Sequence, residues 1–193
     1  MAKAQLSAET DVAVAPSKLG FTFLSLTRIA IGFVFFWAFI DKLFGLGFST
    51  CRNPETNEVE VLCEKAWLSG GAITKGYLGS STGPFADFFA ALGGQRWTDW
   101  VFMIGLLGIG LALMLGIGTK IGAWSAVAML GLMYVSHAWP GAGGNTTNPF
   151  LDDHIIYALA AVGIVYVELN RQAIGLGTWW RKLGFVQRNT WLV

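Results

Sequence analysis

The chain has 193 residues, of which 54% are hydrophobic and only 13% are charged, and its formal net charge is +1. Soluble domains carry about 25% charged residues, so the excess apolar surface of this chain is predicted to face lipid. The near-neutral charge argues against a nucleic-acid partner, because no basic field is present to collect phosphates. No glycine-rich phosphate-binding motif follows a strand pattern, so nucleotide binding is not predicted.

The chain is predicted to cross the bilayer four times. Residues 1–20 mix small, polar and charged side chains and are expected to form a flexible cytoplasmic tail. Four apolar runs in the membrane domain, residues 21–169, have about the length that a bilayer core requires. They cover about residues 21–44, 97–116, 121–139 and 149–169. Lipid offers the backbone no hydrogen-bond partners, so an all-α integral membrane protein with an antiparallel four-helix bundle is predicted.

The connection between the first two spans, residues 45–96, is predicted to be an extracytoplasmic loop. Within it, Cys51 and Cys63 enclose a turn in which Val59 and Val61 alternate with acids, a pattern that predicts a small hairpin tied by a disulfide. The disulfide is interpreted as structural, with a redox role as the alternative. The rest of the loop is glycine-rich.

Three shorter signals add detail to this fold. An apolar segment that Pro84 opens and Gly93 ends predicts a short helix in the membrane interface. The second span carries small residues at spacings that allow close helix contact, namely Gly105, Gly108 and Ala112. Residues 170–193 are basic and aromatic, and are predicted to form a cytoplasmic tail along the membrane surface.

The charge distribution predicts that both termini are cytoplasmic. With this orientation the short connections follow the positive-inside rule. Most of the acidic residues then lie outside, namely Asp41, Glu55, Glu58, Glu60, Glu64, Asp87, Asp99, Asp152 and Asp153. The two cysteines also lie outside, where a disulfide persists.

Asp152, Asp153 and His154 form the most titratable stretch and precede the fourth span. One interpretation is structural: Asn148 caps the helix, Pro149 takes its first position, and the acids complement the helix dipole. The other is catalytic, with Asp152, Asp153 and His154 accepting or delivering protons at the outer membrane face. His154 is expected to be hydrogen-bonded, because the helix start disfavours an unpaired cation.

His137 lies near the outer end of the third span and is expected at the depth of His154. Two histidines on different helices are weak evidence for metal or haem, so no metal site is predicted, and an interfacial anchor beside Trp139 is the simpler interpretation. Trp37 either packs between helices and lipid or lines, with His137 and Trp139, an aromatic slot for a quinone ring.

Charged residues inside the spans require partners. Arg28 and Glu168 lie in the cytoplasmic halves of the first and last spans, and are predicted to form a structural ion pair or, alternatively, to shape a ligand pocket. Asp41 and Lys42 end the first span. They either pair with each other at the interface or face the cluster on the fourth span, where Asp41 would join the catalytic group.

Four stretches of the chain carry a resemblance to a known family. They are R-I-A-I-G-F-V-F-F-W-A-F-I-D-K-L-F, T-K-G-Y-L-G-S-S-T-G-P-F-A-D-F-F, W-V-F-M-I-G-L-L-G-I-G-L-A-L-M-L-G-I-G and N-P-F-L-D-D-H-I-I-Y-A-L. They resemble the DoxX/DoxD membrane family, and the likeness covers about residues 21–181. The resemblance implies the large membrane subunit of a thiosulfate:quinone oxidoreductase in a bacterial or archaeal cell membrane. Such a subunit takes part in oxidising thiosulfate to tetrathionate outside and passing the electrons to membrane quinone.

Two functions are therefore expected. The first is an integral membrane redox subunit working with quinone, in which Asp153 and His154 handle protons and Arg28 with Glu168 holds the bundle. The second is a non-catalytic accessory subunit of a larger respiratory or redox complex. Its support is the absence of haem, flavin and iron–sulfur motifs, and a long outer loop suited to docking other membrane or extracytoplasmic subunits. No tightly bound cofactor is predicted beyond the quinone partner.

Overall fold

The computed structural model describes residues 17–140 and 150–193. Within these ranges the chain is helical, and its only strand-like pairing is one isolated antiparallel bridge between Arg52 and Val59. The helices are α1 Lys18–Phe44, α2 Ile73–Gly79, α3 Ala86–Leu92, α4 Arg96–Leu115, α5 Thr119–Met133, α6 Asp153–Glu168, α7 Gly177–Trp180 and α8 Gly184–Arg188. Short 3-10 turns cover Trp67–Ser69 and Thr190–Leu192, and a π-helical turn, Tyr134–Ala138, extends α5.

Three helices are long and apolar enough to cross a membrane, namely α1, α4, and α5 together with its π-turn. The structure therefore fits a multi-pass membrane protein in a lipid bilayer. Helix α6 has 16 residues, which corresponds to about 24 Å of helix and is shorter than a bilayer core of about 30 Å.

Helix α6 begins later than the sequence predicts. Its cap is Asp152 and its first residue is Asp153, because the Asp152 carboxylate accepts hydrogen bonds from the backbone N–H groups of His154 and Ile155. The sequence predicts a span from about residue 149, whereas the helix begins at Asp153. Residues 148–149, which the sequence assigns to the cap, lie outside the described residues, as do residues 1–16 of the predicted N-terminal tail.

The four long helices pack side by side in a closed cycle. Helix α1 packs against α4 and α6, and α5 packs against α4 and α6. Neighbouring helices run antiparallel, so that Trp124 of α5 donates to the hydroxyl of Tyr166 on α6 at 3.3 Å. Between the helices, Met103, Ile109 and Val165 are at most 2% exposed.

Large apolar side chains also cover the outer faces of all four long helices. Phe33 on α1, Ile104 on α4, Leu132 on α5 and Leu159 on α6 are each about half exposed or more. Apolar surface exposed to water costs about 25 cal/mol per Å², so these faces are suited to lipid tails rather than to water. Helix α6 shares this property with the three longer helices.

Two glycines that the small-residue pattern does not single out set the approach of α1 and α4. A Cβ atom on Gly32 would lie 2.8 Å from the backbone nitrogen of Met114, and one on Gly110 would lie 2.8 Å from that of Phe36. A side chain at either position would therefore push the two helices apart, as expected for closely packed membrane helices.

The predicted small-residue contacts are partly correct. Ala112 packs against α5, where a Cβ atom on Gly122 would lie 2.8 Å from the Ala112 methyl group. Gly105 also faces a neighbour, the end of the Met129 side chain. Gly108 has open space beside it, so its predicted helix contact is wrong.

Arg28 is buried where α4 and α6 end. Its Nε lies 2.6 Å from Oε2 of Glu168, and the two side chains are 0% and 1% exposed, so the predicted ion pair is present. The terminal nitrogens of Arg28 donate to the carbonyl of Leu113 and, at 2.5 Å, to that of Ile174. The last carbonyls of a helix have no hydrogen-bond partner within it, so Arg28 can donate to one at the end of α4. Its guanidinium thereby joins α1, the end of α4, α6 and the segment after α6.

Glu168 is also satisfied on its second oxygen. The Ser25 hydroxyl of α1 donates to Oε1 of Glu168. The same Ser25 oxygen accepts from the backbone N–H groups of Ala173 and Ile174, both at 3.2 Å. The ion pair is therefore the centre of a hydrogen-bonded network that fixes the chain where it leaves α6.

The loop between α1 and α4 contains more helix than its glycine content predicts. Asp99 of α4 accepts from the Thr74 backbone N–H at 2.7 Å and from its hydroxyl at 2.6 Å, and this carboxylate satisfies the start of α2. The predicted disulfide between Cys51 and Cys63 is present, with the two Cα atoms 5.7 Å apart.

The predicted short helix is also present, as α3. It begins at Ala86, two residues after Pro84, and ends at Gly93. Phe85 and Phe88 are 59% and 60% exposed, whereas Phe89 is 5% exposed. On the predicted apolar face, Phe89 therefore packs against the protein, whereas Phe85 and Phe88 are exposed.

We expect Glu168→Ala to destabilise the fold by about 3–5 kcal/mol, because it leaves Arg28 as an uncompensated charge among apolar helices. The measurement is the unfolding midpoint of the purified protein in mild detergent. Asp87→Ala, at an exposed position of α3, is the matched control and should leave the midpoint close to wild type. Equal shifts for the two variants would contradict the structural role of the pair.

Candidate functional site

The candidate site lies at the end of the bundle where α1 and α5 end and α4 and α6 begin, which we call the acidic end. The first of its histidines, His137, sits in the π-turn that follows α5. π-turns inside helices are often found at functional sites because they alter the direction of a side chain. His137 is the fourth of the five residues of this turn.

The loop between α1 and α4 holds this π-turn in place. The backbone N–H groups of Thr82 and Gly83 both donate to the Ser136 carbonyl at 2.9 Å. Gly83 must be a glycine, because a Cβ atom there would collide with the carbonyl of Val135. The carbonyl that the π-turn leaves without a helical partner is thus satisfied by the loop.

The contacts of His137 indicate which ring nitrogen is available. Ser136 donates its hydroxyl proton to the Met133 carbonyl at 2.9 Å and lies 2.9 Å from Nδ1 of His137. A hydroxyl has one proton to donate, so Nδ1 carries a proton and donates it to Ser136. Nε2 of His137 faces the end of α2, with the Ser80 hydroxyl at 3.5 Å.

Tyr77 of α2 covers the ring of His137. The two ring centroids lie 4.1 Å apart with an angle of 34° between the planes. Burial raises the pKa of the Tyr77 hydroxyl; the neighbouring Ser136 side chain acts in the opposite direction, and the negative charge of Asp152 raises it further. Tyr77 therefore stays a hydroxyl, able to donate or accept a hydrogen bond, over an extended pH range.

The second histidine is held by the residue that caps α6. Oδ2 of Asp152 lies 2.6 Å from Nδ1 of His154, while Oδ1 accepts from the His154 backbone N–H at 3.1 Å. An ionised carboxylate only accepts hydrogen bonds, so Nδ1 of His154 donates and Nε2 is left to exchange a proton. The side chains are 25% and 14% exposed, so solvent reaches this pair.

The two histidines belong to one group of side chains. His137 and His154 are close enough to interact electrostatically, and so are Tyr77 and Asp152. We refer to Tyr77, Ser136, His137, Asp152 and His154 as the histidine cluster. Its members come from α2, the π-turn and the start of α6, and both imidazoles have an Nε2 atom that can take part in proton transfer.

The other residues predicted for this site lie elsewhere or play a different part. Asp153, the first residue of α6, is exposed. Asp41 is 1% exposed and accepts from the Phe48 N–H at 2.9 Å, the Ser49 N–H at 3.0 Å and the Ser49 hydroxyl at 2.7 Å. Lys42 donates to the same hydroxyl at 3.0 Å. Asp41 and Lys42 therefore both bind Ser49 and anchor the start of the loop between α1 and α4.

The three residues predicted to line a quinone slot, Trp37, His137 and Trp139, each pack against another ring. Trp37 packs against Phe33 at 6.0 Å and Phe48 at 5.0 Å between centroids. Trp139 packs against Tyr134 at 6.2 Å. Neither indole pairs with the ring of His137, which lies against Tyr77 instead.

A cavity of about 440 Å³ lies beside the start of α4. Its wall includes Leu43, Trp67, Leu68, Arg96, Asp99, Trp100 and several loop glycines. Trp67 and Trp100 meet edge to face with centroids 4.7 Å apart. The wall therefore combines two indole rings with the charged side chains of Arg96 and Asp99.

Helix α2 connects the cavity with the histidine cluster. Thr74 binds Asp99 of the cavity wall, and Tyr77, three residues later, covers His137. Residues three apart share a helix face and are separated by about 4.5 Å along the axis. The sequence gives little sign of this arrangement, because T-K-G-Y-L-G-S-S is typical of a loop and the tyrosine is not close to either histidine along the chain.

No group of three or more histidine, cysteine, aspartate or glutamate side chains in the described ranges is arranged to hold a metal ion. No family model, curated protein or solved structure matches this chain. What the site can do is therefore inferred from its geometry, and this geometry is suited to proton exchange at one end of the helix bundle.

We expect Asp152→Asn to lower the pKa of Tyr77, because it removes a negative charge that disfavours the phenolate. Asparagine is as good a helix cap as aspartate, so α6 should keep its start. The measurement is a titration of tyrosinate absorbance in the near ultraviolet, with Tyr77→Phe to isolate the signal of this residue. Asp153→Asn serves as the neighbouring control, and a shift of the same size in that variant would argue against a specific effect of Asp152.

Proposed function

We propose that this chain is an integral membrane redox subunit that resembles DoxX/DoxD proteins and passes electrons from thiosulfate to membrane quinone. The observation that carries the proposal is the histidine cluster, where His154 is oriented through Nδ1 by Asp152, stays partly exposed, and lies within electrostatic range of His137. Reduction of a quinone to a quinol consumes two protons with two electrons, so such a subunit needs proton-exchanging groups connected to the quinone site.

The proposal includes a fourth membrane crossing by α6 and a defined orientation. Support for the crossing is the lipid-suited face of α6, including Ile156, Leu159 and Val167. Support for cytoplasmic termini is the excess of lysine and arginine at the end of the bundle where α1 and α5 begin. The histidine cluster would then face the outside of a bacterial or archaeal cell membrane.

We place the quinone ring in the cavity beside α4 rather than between His137, Trp139 and Trp37. Trp67, Trp100 and Leu43 offer apolar walls for a flat ring, and the Arg96 guanidinium can donate to a ring oxygen. The cavity lies beside the start of a candidate membrane span, where a lipid-soluble molecule has access.

The histidine cluster would supply the protons. His154 is oriented by Asp152 and exchanges its Nε2 proton with solvent, while His137 is held by Ser136 with its Nε2 towards Ser80. Tyr77, on the α2 face that also carries Thr74, links the cluster to the cavity wall. Two thiosulfate ions that join as tetrathionate release the two electrons, which would arrive through a partner subunit on the outer face.

We expect His154→Ala to lower thiosulfate-dependent quinone reduction by about a hundredfold, the usual effect of removing a group that transfers protons. The assay uses the purified protein with its partners in mild detergent and a soluble quinone. Asp153→Asn should retain most of the activity because Asp153 is exposed and does not hold the histidine. Full activity in His154→Ala would show that this histidine does not handle the protons.

A second candidate function is a non-catalytic accessory subunit of a larger respiratory or redox complex. The observation that favours it is the apolar surface of the outer loop, where Val61, Leu62 and Leu68 are at least half exposed. Exposed apolar groups on a loop outside the spans are typical of a protein contact surface. Purification with stoichiometric partner subunits but without thiosulfate-dependent turnover would support this function over the first.

A further inference from the structure

We propose that residues 171–193, together with the start of α5, form a preordered binding surface for the headgroups of anionic phospholipids. We call this the basic platform. It lies at the end of the bundle opposite the histidine cluster, and the inference is independent of the redox function proposed above.

The charge of this end is strongly one-sided. Among the described residues it carries six cations, none of which forms a salt bridge. These are Lys18, Lys120, Arg171, Arg181, Lys182 and Arg188. The one described acid at this end is Glu168, and Arg28 already neutralises it. A surface with this balance attracts negative charge, and lysine and arginine clusters beside membrane helices are suited to anionic headgroups.

Aromatic side chains lie between these cations. Trp179, Phe185 and Trp191 are 55%, 51% and 61% exposed. Tryptophan is enriched at membrane interfaces, where the ring sits at the level of the headgroups. The combination of exposed aromatic rings and lysine or arginine distinguishes a membrane-facing surface from a purely electrostatic one.

The platform is folded before any lipid binds. The indole N–H of Trp180 donates to the Leu192 carbonyl at 2.7 Å, and Val186 of α8 is fully buried. Lys120 at the start of α5 binds the last turn twice, through its backbone N–H to Val193 and through Nζ to Thr190, both at 3.0 Å. Binding to such a surface does not require the ordering of a flexible chain.

The position of the platform favours lipid over a soluble acidic partner. It is continuous with the apolar outer face of α1, where Leu19 and Phe23 are 66% and 60% exposed. Arg171 lies over the ring of Phe21 at 5.0 Å, so a cation of the platform directly contacts that helix. A lipid whose tails lie along α1 would place its headgroup at this level.

The test is reconstitution of the full chain in nanodiscs of equal phosphatidylcholine and phosphatidylglycerol, followed by native mass spectrometry of the lipids that stay bound. We expect phosphatidylglycerol to be enriched over phosphatidylcholine. A cation near an anionic surface contributes about fivefold in affinity, so the paired variant Lys182→Gln with Arg188→Gln should lower this enrichment at least about fivefold.

The matched control is Lys65→Gln with Lys75→Gln, which removes the same charge from the other end of the molecule. All four side chains are exposed, so both variants should fold, and their unfolding midpoints verify this. Retained enrichment in the control with loss in the platform variant supports the proposal. Equal loss in both variants, or no enrichment in the wild type, overturns it, and binding of an added acidic protein without lipid enrichment would assign the surface to a protein partner instead.

Discussion

The buried guanidinium of Arg28 is the interaction on which the arrangement of the helices depends. An arginine among apolar spans is costly unless its charge and all its donors are paired, and Glu168 meets the first need. The carbonyl of Leu113 accepts a hydrogen bond from one terminal nitrogen of Arg28. This carbonyl is available because it lies in the last turn of α4, where no later helical N–H group can donate to it. The carbonyl of Leu115, at the same helix end, accepts from Leu176 at 2.8 Å. One charged side chain thus fixes where three helices meet, and the close glycine contacts of α1 with α4 follow from that position.

Unpaired backbone groups shape the opposite end as well. The π-turn leaves the Ser136 carbonyl without a helical partner, and the loop N–H groups of Thr82 and Gly83 satisfy it. The start of α6 leaves N–H groups that Asp152 satisfies with one carboxylate oxygen. Its other oxygen then holds the imidazole of His154. The structural and catalytic interpretations of Asp152 are therefore compatible, because capping the helix is also what orients the histidine.

Features that depend on local pattern could be predicted from the sequence, and those that depend on contacts between distant segments could not. The apolar runs predict the three candidate spans, the lone charges Arg28 and Glu168 predict each other, and the cysteines predict the disulfide. Helix α2 was not predictable, since it starts on a carboxylate, Asp99, that lies 25 residues away from Thr74. Tyr77 was missed for the same reason, because nothing in T-K-G-Y-L-G-S-S indicates that α2 would bring its ring onto His137. The later start of α6 depended on which of several possible caps would form, and the sequence offered both asparagine and aspartate.

The two ends of the bundle differ in how completely their polar groups are satisfied, and this difference favours placing chemistry at the acidic end. Around Arg28 the buried charges and the neighbouring carbonyls have partners, so a proton or a ligand could enter only by breaking the network that holds the fold. At the acidic end the Nδ1 atoms of His137 and His154 are used for orientation, and the His154 side chain remains 25% exposed. A site needs groups that are held in position and still have capacity to react. The basic platform meets the same condition in another form, because its backbone is ordered while its cations remain unpaired.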